Sequence, residues 1–422
     1  MTVRSHENLI GTLTINLNRL KADMEAVNAL GKFDGVPGIN RISFSDADMA
    51  GRRWLMERMK EAGLEARMDA AGNVFGRWTP PGGADRPAVL AGSHLDTVPQ
   101  GGAYDGTLGV CAALEAVRTM KEAGLKPLRP VEVLCTADEE GRFGGMFGSQ
   151  AICGEVGPNW IEAAVDDSGI RLADAMREQG LDPAAVAPGN LSEIAVFLEL
   201  HIEQGPVLER EGLSIGVVDA ISGVFNWTVT LTGEANHSGT TPMDMRRDAF
   251  RGLAEFGAAI PAILKEAGGP ETRLTVGKVE LSPNFPHSVA GRAVFSIIGR
   301  DIEEARMMAL ASSCESAIDK AAEAHGLAFD IAQKSWLPPT RLDDEVCTRI
   351  MEIAQTAGYS SRVITSGAGH DAQTFARHIP AGLIFAPSIG GISHSPDELT
   401  EWADIERSAN VLTRAMAHFA LN

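Results

Sequence analysis

The stretch Ala88-Val-Leu-Ala-Gly-Ser-His94-Leu-Asp96 decides the fold class of this chain. The apolar run Ala88–Ala91 within it reads as a short buried strand. Strands of that kind belong to largely parallel sheets covered by helices, which gather their chemistry at the strand carboxyl ends. Here the run delivers His94, with Asp96 two residues beyond. A histidine at a strand end is more often a hydrogen-bonded or surface residue than a ligand, so its meaning rests on what the rest of the chain places beside it.

Outward from this strand, helix and strand signals alternate. Leu17, Leu20, Met24, Val27 and Leu30 recur at helical spacing, and Ser45-x-x-Asp48 forms a capping-box pattern ahead of a helix reaching about Glu61. Val74–Trp78 reads as another strand, Thr107 to about Ala123 as a helix, and Val131–Thr136 as a strand whose end presents Asp138-Glu139-Glu140. Helical segments around 160–178 and a strand Ile194–His201 continue the alternation. These features predict an α/β domain with a mixed, largely parallel sheet.

From about residue 223 the texture changes. The order becomes strand Asn226–Thr232, helix Arg246–Ala267, strands Thr272–Leu281 and Ala293–Ile298, helix Ile302–His325 and strand Ala328–Gln333. That β-α-β-β-α-β order predicts a ferredoxin-like unit over 223–335, inserted into a catalytic domain made of 1–222 and 336–422. The last segment returns to the first pattern, with strands Arg362–Thr365 and Gly382–Phe385 and a closing helix from about Asp404.

Composition narrows the function classes. A length of 422 residues exceeds one ordinary core at roughly 100 to 200 residues per domain, and 44% apolar with 22% charged content is that of a soluble globular protein. A net charge of −19, without any Lys/Arg-rich tract, repels phosphate backbones and argues against nucleic acid as a partner. The first residues lack an apolar signal core, and the longest uncharged stretch, 379–392, is broken by Pro380 and Pro387. No membrane span and a cytoplasmic location are therefore expected. Five widely spaced cysteines without a CxxC indicate neither a disulfide framework nor a thiolate zinc site.

The polar residues point to metal chemistry. Two divalent ions need a bridging carboxylate and a few nitrogen or oxygen ligands each, leaving a shared position for water. Asp105, in Tyr104-Asp-Gly-Thr107, suits the bridge, although Asp-Gly is also an ordinary turn. Asp96 is placed to accept the second ring N–H of His94 and fix its tautomer. Glu139 and Glu140 are neighbours whose side chains point opposite ways in extended backbone, so one can bind metal while the other faces water. A solvated acidic strand end would not explain why His201 and His394 also lie in Gly-flanked settings at strand or loop ends.

The motifs Gly92-Ser-His-Leu-Asp-Thr-Val-Pro99, Asp138-Glu-Glu-Gly-Arg-Phe143, His201-Ile-Glu-Gln-Gly-Pro206, Asn236-His-Ser-Gly-Thr-Thr-Pro-Met243 and Ser366-Gly-Ala-Gly-His-Asp-Ala372, with the Asp105 turn, resemble the M20-type amidases of the hydantoinase/carbamoylase family. The resemblance runs in unchanged order along essentially the whole chain. It implies one ion held by His94, Asp105 and His201 and a second held by Asp105, Glu140 and His394, with Glu139 as general base. Zn, Mn, Co or Ni would all suit such ligands. His201 looks like the amidase branch, since peptidase branches usually carry aspartate there.

The same resemblance implies that the inserted domain is a lid and a dimerisation surface, and that His237 reaches the active site of a partner subunit to polarise the scissile carbonyl. Gln204 and Arg300 match substrate contacts, Arg300 gripping a carboxylate, and Gly369 lies in a glycine loop lining the substrate site. That loop mimics a dinucleotide GxGxxA, but Pro387-Ser388 stands where an acidic ribose ligand would be needed. His287 replaces a usual asparagine, and Phe225-Asn226 replaces a pair that tends to hold arginine in allantoate-type members. The activity implied is hydrolysis of a linear amide or ureido bond, foremost of an N-carbamoyl-L-amino acid. Allantoate amidohydrolase and N-acyl-amino acid hydrolase are the alternatives within the enzyme class, and a non-catalytic ligand-binding protein the alternative outside it.

Overall fold

The computed structural model describes residues 9–422, which form two compact units. The first comprises the described residues up to Asp219 together with Arg341–Ile364 and Ala368–Asn422, and the second comprises Ala220–Thr340 with Thr365–Gly367.

The main sheet has nine strands. Its path runs Glu65–Met68, Val74–Trp78, Val131–Thr136, Ala88–His94, Ile194–Ile202, Ala381–Ala386, Ile215–Ile221 and Thr340–Arg341, with Ser361–Ser366 pairing Ile215–Ile221. The sheet is mixed: its four middle strands, Val131–Thr136 through Ala381–Ala386, are parallel, and the strands beside them pair antiparallel. Every residue of Ala88–His94, Val131–Thr136 and Ala381–Ala386 is buried, as continuous apolar strands require when both faces are covered. Helices Leu17–Ala29, Thr107–Glu122 and Trp402–Leu421 contribute Leu20, Met24, Leu108, Val117, Leu412 and Met416 to that core.

The capping box at Ser45 is only half formed. Ser45 accepts the Asp48 N–H at 3.2 Å, but the Asp48 carboxylate accepts from the Phe44 N–H at 2.9 Å instead of returning to the Ser45 backbone. Asp48 is drawn away because it also pairs with Arg52 at 3.0 Å, both side chains fully buried. Arg52 donates onward to Gly72 O at 3.0 Å and Thr136 O at 2.9 Å. The helix Asp46–Glu61 is thereby fastened to the end of the strand that leads into Glu139.

In the second unit a sheet runs Val279–Ser282, Arg292–Asp301, Gly223–Thr232 and Ala328–Leu337, with Arg273–Thr275 also pairing Arg292–Asp301. All of these pairings are antiparallel. The stretch expected as a single strand over Thr272–Leu281 is broken in two. Between the pieces the Lys278 N–H turns to the Ser296 hydroxyl at 3.0 Å, and the ladder is interrupted around Gly277. Phe225, Trp227, Val229 and Leu231 alternate onto one face with Phe295 and Ile297, against helices Ala249–Ala267 and Glu304–Ala324. Among the described residues no helix is long and apolar enough to cross a membrane.

Candidate metal centre

The four parallel strands each bring a polar residue to the same edge of the sheet. Ala88–His94 ends on His94, Val131–Thr136 leads to Glu139 and Glu140, Ile194–Ile202 carries His201 at its last turn of pleat, and the segment after Ala381–Ala386 reaches His394. In the parallel register His94 stands beside Thr136 and His201 beside Phe385. Asp105 comes from the turn that opens the helix Thr107–Glu122.

Asp105 sits at the centre. Its Oδ1 lies 2.9 Å from His201 Nε2 and 3.4 Å from His94 Nε2, and its Oδ2 lies 3.3 Å from His394 Nε2. His394 Nε2 is also 3.3 Å from Glu140 Oε2. Two clusters follow, His94, Asp105, His201 and Asp105, Glu140, His394, in each of which the ligand atoms lie within 4.8 Å of one another. Glu139 belongs to neither and places Oε2 3.4 Å from His94 Nε2.

The rings are preset for ligation. His201 Nδ1 lies 2.9 Å from Ile202 O and His94 Nδ1 lies 2.9 Å from the main-chain oxygen of Asp96. Each carbonyl accepts a ring N–H, which leaves Nε2 of the neutral ring as the lone-pair nitrogen facing Asp105. The Asp96 carboxylate therefore does not orient His94 as the sequence spacing suggested. It is turned away to accept from the Ser43 hydroxyl at 2.9 Å and the Glu140 N–H at 3.1 Å, so it fixes the loop carrying Glu140 instead. Gly106, at φ +60°, is pressed on the His94 ring: a Cβ there would lie 2.4 Å from Cε1.

The electrostatics suit cations. Burial would raise the Asp105 carboxyl, but the surrounding imidazoles outweigh it and hold the group well below the carboxylate range. The His394 ring, hydrogen-bonded to Asp105 and Glu140, is pushed up to about 10. His94 is held well above its ordinary value because Glu139 and Asp105 overcome its burial. The imidazoles thus retain protons where the carboxylates demand positive charge, the competition expected of a site that releases protons when it takes up metal. Burial, reinforced by Glu140, Asp371 and Asp105, keeps the Glu139 carboxyl well above its usual range.

Backbone strain gathers here too. Asp138, Gln204 and His394 are non-glycine residues at φ +52°, +56° and +54°, a conformation that costs energy and recurs at functional sites. Gln204 donates from Nε2 to Asp105 Oδ2 at 2.8 Å. Gly369 packs toward the Met146 methyl, and the adjoining His370 ring stands edge-on to His201 at 4.5 Å. Cys111 and Cys135 are buried and free, and burial pushes the Cys135 thiol up to about 12, far from a nucleophile's range.

The remaining candidates lie in the second unit. His237 is in the two-residue strand Asn236–His237, paired with Ser288–Val289, and the His287 main-chain oxygen accepts the Ser238 N–H at 3.0 Å. Arg300 is the penultimate residue of the strand Arg292–Asp301 and donates to Gly367 O at 2.7 Å. Phe225 is fully buried and stacks on Trp336 at 5.8 Å. Sequence reasoning missed Glu398 and Ser393, which touch Asp105 or its loop; the only signal was an acidic residue four positions after His394.

The model of Peptidase family M20/M25/M40 matches residues 90–418. The chain is 36% identical over 386 residues to an N-carbamoyl-L-amino-acid amidohydrolase of Paenarthrobacter aurescens, covering 90% of this chain and 93% of that protein. It is 38% identical over 393 residues to an allantoate amidohydrolase of Escherichia coli, covering 92% and 94%. The crystal structure of a hydantoinase/carbamoylase family amidase from Burkholderia multivorans superposes with a TM-score of 0.90 at 32% identity, over 97% of this chain and 99% of that one. A sheet whose parallel middle converges two histidine-carboxylate clusters on one aspartate, and a match spanning most of the sequence, place this chain in Peptidase family M20/M25/M40, among its hydantoinase/carbamoylase members.

Proposed function

We propose that the protein is a metal-dependent amidohydrolase that cleaves the linear C–N bond of an N-carbamoyl-L-amino acid, yielding the amino acid, CO2 and ammonia. The observation that carries this reading is the shared carboxylate of Asp105, one oxygen facing His94 and His201 and the other facing His394. His94, Asp105 and His201 would hold one divalent ion, and Asp105, Glu140 and His394 a second. Such ions, Zn, Mn, Co or Ni, supply the Lewis acidity that polarises a carbonyl and eases deprotonation of water.

The chain's own groups supply the rest. Glu139, buried beside both clusters but a member of neither, takes the proton of the attacking water and returns it to the leaving nitrogen. His237 Nδ1 accepts the N–H of Gly239 at 3.0 Å and of Thr240 at 3.2 Å. That assigns the ring proton to Nε2 on an exposed side chain, a donor suited to a developing oxyanion. We assign that role across a homodimer formed through the second unit, where Met243, Met245, Phe250 and Phe285 are exposed.

Arg300 binds the substrate carboxylate. It is partly buried and spends one donor on Gly367 O, leaving the rest of the guanidinium fork for an anion. On the same face of the sheet Asn226 stands beside it, since Ile298 pairs with Asn226 and Arg300 with Val224. Asn226 is a neutral amide where allantoate-type members tend to have arginine, so that guanidinium contact is missing here, which favours an N-carbamoyl amino acid over allantoate. Loss of a hydrogen-bonded charge costs about 1.5–3 kcal/mol, so Arg300→Ala is expected to raise KM about 10- to 100-fold in steady-state assays while metal content stays unchanged.

The reading is tested by ammonia release from N-carbamoyl-L-amino acids, N-carbamoyl-β-alanine and allantoate, and by amino acid release from N-acetyl-amino acids, on chelator-treated protein reloaded with each metal. Carbamoyl-L-amino acids are expected to turn over fastest and only after reloading. Hydrolysis of acetyl but not carbamoyl substrates would make the protein an acylamino acid hydrolase, and turnover of none would make it a binding protein.

A further inference from the structure

Glu398 lies outside both ligand clusters, yet it is 5% exposed and meets both loops that carry them. Its Oε1 accepts the backbone N–H of Tyr104 at 2.8 Å and of Asp105 at 3.0 Å. Its Oε2 lies 3.0 Å from the Ser393 hydroxyl, which is also 3.2 Å from Asp105 Oδ2. Ser393 immediately precedes His394. The carboxylate therefore joins the turn of the bridging aspartate to the loop of the one ligand that is half exposed, His394, whose side chain is 49% accessible.

The backbone makes room for this contact. A Cβ at Gly102 would lie 2.1 Å from the Glu398 carboxyl carbon, so any other residue there would expel the carboxylate. His94 and His201 need no such help, because both are buried and held by carbonyls of their own segments. His394 sits on a loop at positive φ, and among the described residues its ring is next to Asp105, Glu140 and Gln204.

We propose that Glu398 is the positioning residue of the second metal site: by clamping the Asp105 turn to Ser393 it holds His394 and Asp105 Oδ2 in ligating register, while the His94–Asp105–His201 site forms without it. This rests on the two-ion reading above. Residues that orient metal ligands typically contribute about 10- to 100-fold in affinity, and here the effect falls on one ion of the two.

The test is a Co2+ titration of the full-length apoprotein, followed by absorption spectroscopy and by metal analysis after dialysis, for wild type, Glu398→Gln, Glu398→Ala and Ser393→Ala. Wild type is expected to take two ions. Glu398→Gln keeps the acceptor for the Tyr104 and Asp105 N–H groups and can donate to the Ser393 hydroxyl, but it loses the carboxylate charge that strengthens those contacts, and should weaken the second ion about 10-fold. Glu398→Ala should weaken it about 100-fold with the first ion and its spectrum retained, and Ser393→Ala should resemble Glu398→Gln. If Glu398→Ala does not fold, the isosteric Glu398→Gln decides. Two ions bound as in wild type by Glu398→Gln, or equal weakening of both, would overturn the proposal. A wild-type chain that takes up no ion would overturn the metal centre itself and the proposal with it.

Discussion

Glu139→Gln is expected to keep both ions and to lose turnover by at least about 10²-fold, the low end of what a positioned general base contributes. Glu139 is absent from both ligand clusters, so an isosteric amide leaves the metal ligands untouched. Its Oε2 is 3.4 Å from His94 Nε2 and the side chain is buried, so bulk water has little access to replace it as proton acceptor. The amide can neither take a proton from water nor return one to the leaving nitrogen. The loss should appear in kcat, with KM and metal content close to wild type. Near-normal turnover would remove Glu139 from the mechanism, and loss of metal in parallel with activity would make it a ligand.

Asp105→Ala is expected to disable both metal positions at once. Changing a residue that only orients a ligand typically costs about 10- to 100-fold in affinity, so removing the ligand common to both clusters should cost more than about 100-fold at each. The variant also strands the Gln204 amide and the Ser393 hydroxyl, which both lie against Asp105 Oδ2. Equilibrium dialysis should find neither ion retained. The apoprotein offers a second readout. Asp105 is the first cause of the elevated His394 pKa of about 10, and a raised folded-state pKa means a proton held more tightly than in the unfolded chain. Without Asp105 that pKa should fall toward the ordinary imidazole value, visible in an NMR titration of the ring. An unshifted His394 titration would mean that Asp105 is not its partner.

Much of the site was legible because metal chemistry constrains residue type and parallel sheets constrain place. His94, His201 and the Glu139-Glu140 pair each follow a buried apolar strand, and the rule that chemistry collects at parallel strand ends brings them together without knowledge of the pairing order. Asp105 and His394 had no strand to announce them: Asp105 suited a bridge but sat in what could be an ordinary Asp-Gly turn, and its place among the ligands, like that of His394, came from motif resemblance. What sequence could not supply was the direction of side chains. Asp96 sits at the spacing for orienting His94, yet its backbone oxygen does that work, because the buried Ser43 hydroxyl and Glu140 N–H capture the carboxylate. Asp48 likewise abandons its capping box for a buried arginine. Glu398 was invisible for the same reason: its partners lie 293 and 294 residues away along the chain.

The fold shows the same division. Strands buried on both faces, such as Val131–Thr136, carry an apolar run that needs no context. Edge elements do not. Glu65–Met68 alternates exposed and half-buried residues, and only its neighbour Val74–Trp78 makes it a strand. The helix Asp344–Thr356, overlooked in the sequence, had its signals in view: Asp343 caps it by accepting from Val346 N–H, and Val346, Ile350 and Ala354 form its buried stripe.

The central claim is that one aspartate joins two metal positions. Anomalous diffraction from crystals of the metal-loaded protein, recorded across the absorption edge of the bound ion, tests it most directly. Two peaks are predicted, one among His94, Asp105 and His201 and the other among Asp105, Glu140 and His394. A single peak, or peaks that leave Asp105 outside the ligand sphere, would contradict it.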